Sequence, residues 1–125
     1  MPTQEIPRNQ WSEFLNRFSR QHEGWLVTLE VFSPDIGAQE EAHELPLEGI
    51  TIAGGDDSKG IAISAGRTLE HHLTHTILAP AHMWIQRTTQ GAEAALEIES
   101  EDNSKTLVRF RSSVLPEMVD GVVLD

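Results

Sequence analysis

Cysteine is absent from the 125-residue sequence. That removes thiol nucleophiles, zinc–thiolate sites and structural disulfides together, and it accords with a reducing compartment. Apolar runs extend only a few residues, so no segment reads as a membrane-spanning helix. Met1-Pro2-Thr3-Gln4-Glu5 has no basic patch leading into an apolar stretch, so the start of the chain does not read as a signal peptide. Positive charge is scarce. Nine Lys and Arg stand against twenty Asp and Glu, a formal net charge of −11. Nucleic-acid binding needs a basic stripe to neutralise phosphates, and an anionic membrane surface makes the same demand. Both are excluded as expectations. The negative charge reads as a solubility device, with a basic protein partner as the alternative. The expectation is a soluble cytoplasmic protein of one domain, 1–125, long enough to bury a core without disulfides or metals.

Catalytic signatures are missing as well. There is no HExxH, no GxSxG and no GxxxxGK[ST]. The glycine-rich stretch Gly54-Gly55-Asp56-Asp57-Ser58-Lys59-Gly60 carries two acids that would repel a phosphate, so it reads as a hairpin loop. The reading leans away from an enzyme.

What is present is periodicity. Trp11, Phe14, Leu15 and Phe18 recur at i, i+3, i+4, i+7, one apolar helical face, with Glu13, Asn16, Arg17 and Arg20 opposite. Pro7 suits a first helical turn and Gly24 a left-handed C-terminal position, which gives a helix of about 7–21. After Gly24 the period drops to two. Trp25, Val27, Leu29 and Val31 alternate with Leu26, Thr28, Glu30 and Phe32, a strand. Ser33-Pro34-Asp35-Ile36-Gly37 reads as a turn. A polar strand over about Gln39–Leu45 should meet an edge or an end at Pro46. Short strands follow near Ile50–Ala53, Ile61–Ala65, Leu73–Ala79, Met83–Thr88, Ala94–Ser100 and Thr106–Ser112. The last two form a hairpin if Asp102-Asn103-Ser104 is the turn. Ile98 then faces Val108, Leu96 faces Phe110, and Glu97 faces Arg109 on the other side. The fold class expected is mainly β (α+β): an antiparallel meander over about 25–112 closing into a small barrel or sandwich, with one N-terminal amphipathic helix and a C-terminal tail, 113–125.

Histidines are the candidate site residues. His71, His72, His75 and His82 lie close in sequence, and clustered imidazoles can bind zinc, nickel or copper. On a strand, His71, Leu73, His75 and Ile77 share a face, and His75 among apolar neighbours also reads as a half-buried sheet histidine. Glu97, Glu99 and Glu101 share a strand face. Cross-strand Arg109 and Lys105 explain them as an ion-paired outer surface more simply than a glycosidase-type acid pair does. Glu40, Glu41, Glu44 and Glu48 read as a solvated face. Val119, Val122, Val123 and Leu124 form an apolar tail that suggests burial against another surface, by twofold pairing first of all.

Several phrases add a resemblance: Ile6-Pro7-Arg8, Ser19-Arg20-Gln21-His22-Glu23-Gly24-Trp25-Leu26-Val27, Leu45-Pro46-Leu47-Glu48-Gly49-Ile50, His72-Leu73-Thr74-His75-Thr76 and Leu107-Val108-Arg109-Phe110. Over nearly the whole chain the sequence resembles an uncharacterised bacterial family of small domains of unknown function. The resemblance implies a standalone small bacterial protein and brings no activity, cofactor or catalytic residue. Two functions are therefore weighed. One is a non-catalytic binding or regulatory module acting through a homo-oligomer or protein partner. The other is a metal- or small-molecule-binding barrel using the histidine cluster.

Overall fold

The computed structural model describes residues 3–53, 60–66 and 72–110. A short strand β1 (Thr3–Glu5) leads through a 3-10 turn at Arg8–Gln10 into helix α1 (Trp11–His22). Strands β2 (Leu26–Ser33), β3 (Gly37–Ala53), β4 (Gly60–Gly66), β5 (His72–Leu78), β6 (Pro80–Arg87), β7 (Glu93–Ser100) and β8 (Lys105–Phe110) follow. Every pairing is antiparallel. The chain is mainly β with one α-helix among the described residues, in keeping with the periodicities.

The helix forms where its apolar stripe runs. Trp11, Leu15 and Phe18 are fully buried, while Phe14 flanks them half-buried, its ring stacked on Phe18 at 5.6 Å. Pro7 sits just before the 3-10 turn with φ −61°. Gly24 ends the helical segment with φ +87° and donates its N–H to the Leu47 carbonyl at 2.8 Å. A left-handed residue here turns the chain directly into β2.

The eight strands are ordered β1-β6-β7-β8-β2-β3-β4-β5. This order has two ends, so among the described residues the sheet does not close into a barrel, one of the two closures, barrel or sandwich, expected from sequence. The reason is local. β5 and β6 are joined by Ala79 alone, at φ +50°. The sheet must therefore curl until its two flanks meet at that corner. Yet both edges of β6 are taken, by β1 and by β7, so no edge is left on β6 for β5.

β3 departs from expectation too. It passes through Pro46 without a break. Leu47 gives its N–H to the Trp25 carbonyl at 2.8 Å, on the β2 side. Successive N–H groups point to opposite edges of a strand, so the N–H that Pro46 lacks would point toward β4, whose ladder begins only at Leu47. The proline ends a ladder, not the strand. Register irregularities against β2, with Glu44 at φ +50°, bend β3 so that its first half serves β2 and its second half β4.

The last hairpin shows a two-residue correction. Leu96 faces Val108, Ile98 faces Thr106, Glu97 faces Leu107 and Glu99 faces Lys105. The turn still spans three residues, but it is Glu101-Asp102-Asn103, one residue earlier than expected. Ser100 N–H reaches the Ser104 carbonyl at 2.8 Å, Asp102 Oδ1 accepts Ser104 N–H at 2.9 Å, and Asn103 takes φ +72°. A shift of two leaves every side chain on its expected face. Arg109 faces Ala95, and its guanidinium pairs with Glu30 on β2 at 2.7 Å.

Candidate functional site

Three of the four candidate histidines, His72, His75 and His82, separate. Along β5 the side chains alternate. His72, Thr74, Thr76 and Leu78 are exposed, while Leu73 and His75 are half-buried and Ile77 is buried. His72 Nε2 meets Glu48 Oε1 at 2.7 Å. His75 lies on the opposite face, its pKa held below the ordinary histidine value by burial, with Glu41 pulling weakly upward. His82 belongs to β6, beyond the corner. Its Nδ1 lies 2.9 Å from Glu5 Oε2 and its ring stacks on Trp84 at 5.4 Å. His71 lies outside the described residues. Among the described residues no group of three or more His, Cys, Asp and Glu side chains is arranged to hold a metal ion.

A polar cluster that the sequence reading did not single out lies under the helix. His22 is 3 % exposed and Glu93 8 %. His22 continues the helical stripe four residues after Phe18, and its ring packs among three others, with centroids 4.4 Å from Phe18, 4.6 Å from Trp25 and 4.5 Å from Phe110. Its Nδ1 lies 2.8 Å from the Phe18 carbonyl. Loss of water holds the ring below the ordinary histidine pKa. The Phe18 carbonyl and Glu93 oppose that shift without overcoming it, and Arg17 adds to it. A neutral ring donates Nδ1–H to Phe18. The 3.5 Å between Nε2 and Glu93 Oε1 is long for a hydrogen bond, as a neutral ring requires.

Glu93 reaches this place through a bulge. Gln86 pairs with Ala95 but Arg87 with Glu93, so Ala94 is an extra residue. The extra residue turns Glu93 onto the face of Leu96 and Ile98, where simple alternation would have turned it outward. Its Oε2 then receives Arg17 at 3.3 Å and Arg87 at 3.4 Å. The cluster ties α1 to β6 and β7, and no buried side-chain N or O among the described residues lacks a partner. The Glu93 carboxylate takes both its arginine partners from inside the fold. A signal for His22 existed in the i, i+4 spacing from Phe18. None existed for Glu93, because a bulge is invisible to alternation.

On the opposite face of the sheet, Phe32, Gln86, Glu97, Lys105 and Leu107 line an open groove of about 490 Å³. Leu107 stands between Glu30 and Glu97, and Glu97 in turn between Leu107 and Trp84. Glu97 is engaged by Gln86 Nε2 at 3.1 Å and by Lys105 Nζ at 3.8 Å. Of the ion pairs expected for Glu97, Glu99 and Glu101, that of Glu97 with Lys105 is present, while Arg109 goes to Glu30 instead.

β5 is the end strand of the sheet, paired on one side by β4 and on the other by nothing among the described residues. Its seven residues pair with β4 in unbroken register. From His71 to Gln86 the sequence holds no Asp, Glu, Lys or Arg. Leu78 is 72 % exposed. Other edges are guarded. β1 is three residues long and ends in Glu5. The first half of β3 carries Glu40, Glu41 and Glu44 and is irregular. Its second half is covered by α1, whose Ser19 hydroxyl bonds both the N–H and the carbonyl of Ile50. Short length, charge, bulges and cover are the devices that stop sheets from pairing edge to edge, and among the described residues β5 has none of them.

A family model described as "Family of unknown function (DUF5335)" matches residues 2–118. An "Uncharacterized protein" of Aquifex aeolicus (strain VF5) is 26 % identical over 118 residues, spanning 94 % of this chain and 100 % of that one. No solved structure matches the chain significantly.

Proposed function

For a chain that belongs to the DUF5335 family of unknown function, we propose a non-catalytic module that works by association, adding a partner's strand to the open edge of β5. The observation that carries this reading is the uncharged, regular end strand with Leu78 standing in solvent. Strand addition supplies affinity through main-chain hydrogen bonds and specificity through the alternating side chains. The burial of His22 and Glu93 supports the same reading, since the Glu93 carboxylate is already held by Arg17 and Arg87 within the fold. The apolar tail Val119, Val122, Val123 and Leu124, which first suggested association, lies outside the described residues. The cysteine-free, acidic composition suits work in a bacterial cytoplasm. Metal or small-molecule binding through His71, His72, His75 and His82 is the alternative. It is less favoured because His72 and His75 project to opposite faces of β5.

The test is a photo-activatable amino acid in the full chain. Placed at Leu78, it should give a discrete cross-linked adduct in cells. Placed at Arg20, on the outer side of α1, it should give none. Absence of any adduct at Leu78 removes β5 as the docking edge.

A further inference from the structure

Resting on that reading, we infer that the strand added to β5 is the β5 of a second copy of this chain, paired antiparallel about a twofold axis at His75. Two identical edges meeting across a twofold axis pair residue i with j at a constant sum, and both members of each pair share a face. Centring the axis on His75, the middle residue of His72–Leu78, uses the whole strand. Leu73 then faces the partner's Ile77 on the buried side, where both already pack against the core. Thr74 faces the partner's Thr76 on the exposed side. Apolar residues meet apolar ones and β-branched hydroxyl residues meet each other, both favourable cross-strand pairings. Moving the axis to Thr74 would set Leu73 against His75, and moving it to Thr76 would set His75 against Ile77. Each sets an imidazole against an aliphatic side chain on the packed face, whereas the centred register leaves such a pair only between His72 and the partner's Leu78, both exposed, so the packed face of β5 selects the centred register.

Charge narrows the partner further. Two copies each carry a formal charge of −11. Surfaces bearing the acids of β3 or β7 would repel their own image. The β5 edge is a stretch where two copies approach without setting like charges opposite one another. Such a dimer joins two curved sheets into one continuous sheet and leaves both outer-face grooves open.

Light scattering of the full chain at micromolar concentration should give twice the monomer mass. The variant carrying Thr74→Lys and Thr76→Lys should be monomeric with an unchanged far-ultraviolet circular-dichroism spectrum, since both side chains point into solvent. The native chain has no cysteine, so single cysteines report register cleanly. An oxidised mixture of Thr74→Cys and Thr76→Cys chains should yield the mixed disulfide at least ten-fold faster than either chain alone yields its own. A dimer that survives the double lysine substitution and shows no such preference overturns this interface while leaving association standing. A monomer throughout the micromolar range overturns self-pairing. Hydrogen exchange then separates the reasons. Protected outward amides on β5 mean the chain covers its own edge, and the association reading falls with the interface. Exposed ones, with a Leu78 adduct of a mass other than the dimer's, leave that reading intact with a different partner.

Discussion

The Ser19 hydroxyl stands in for a strand beside Ile50. It accepts the Ile50 N–H at 2.9 Å and donates to the Ile50 carbonyl at 3.1 Å. A helical side chain thus completes an edge that β2 leaves at Pro46. Because Ile50 is fully buried, its backbone groups have little access to water if the hydroxyl is removed. Ser19→Ala should cost about 1–2 kcal/mol, the usual effect of leaving a buried backbone group unpaired. Urea denaturation measures the loss, and faster amide exchange at Ile50 identifies its source. An Ile50 amide as protected as before would show that the hydroxyl is dispensable.

Stability should depend on pH through His22 and His75. Both are held below the ordinary value of 6.5 in the folded chain. As pH falls, the unfolded chain therefore takes up these protons first. The stability present above pH 6.5 is progressively lost as pH drops from there through the lower folded values. Urea midpoints should fall between pH 8 and pH 5, as protonation sets in below ~6.5. His22→Gln should flatten that slope whatever it does to stability at pH 8. An unaltered slope in the variant would show that His22 titrates alike in both states.

The corrected hairpin register has its own test. Arg109 pairs with Glu30 across β2 and β8, and Glu97 lies opposite Leu107. A double-mutant cycle on Arg109 and Glu30 should give a coupling of about 0.5 kcal/mol, in the range of exposed ion pairs. The same cycle on Arg109 and Glu97 should give a coupling indistinguishable from zero. The reverse ranking would restore the register with Glu97 facing Arg109.

What could be read from sequence was what is local. The Trp11–Phe18 stripe, the change of period at Gly24 and the turn at Ser33–Gly37 each depend on near neighbours, and the structure has all of them. The faces of β7 and β8 were legible because alternation fixes them, even with the pairing two residues away. Strand order was not legible. Nothing near Thr3 announces that it will lie beside Gln86. The passage of β3 through Pro46 depends on which edge the missing N–H would face, a property of the assembled sheet. Among candidate site residues, His72, His75 and His82 were close in sequence, but alternation along β5 and the corner at Ala79 parted them. The open edge of β5 emerged only once the neighbours of every strand were known.

The strand order also sets a timetable for the chain as it is made. β3, β4 and β5 are sequence neighbours and can pair as soon as they emerge. β2 can zip onto β3 at once, yet its other edge must wait for β8. β1, made before the other seven, finds its place only after β6 exists. Pairings of such long sequence separation close late, because the intervening chain must first surrender its freedom. During that interval the nascent sheet exposes a second bare edge, on β2, alongside the one on β5. The acidic surplus of the chain then acts as a kinetic safeguard, keeping half-folded copies apart until β8 arrives.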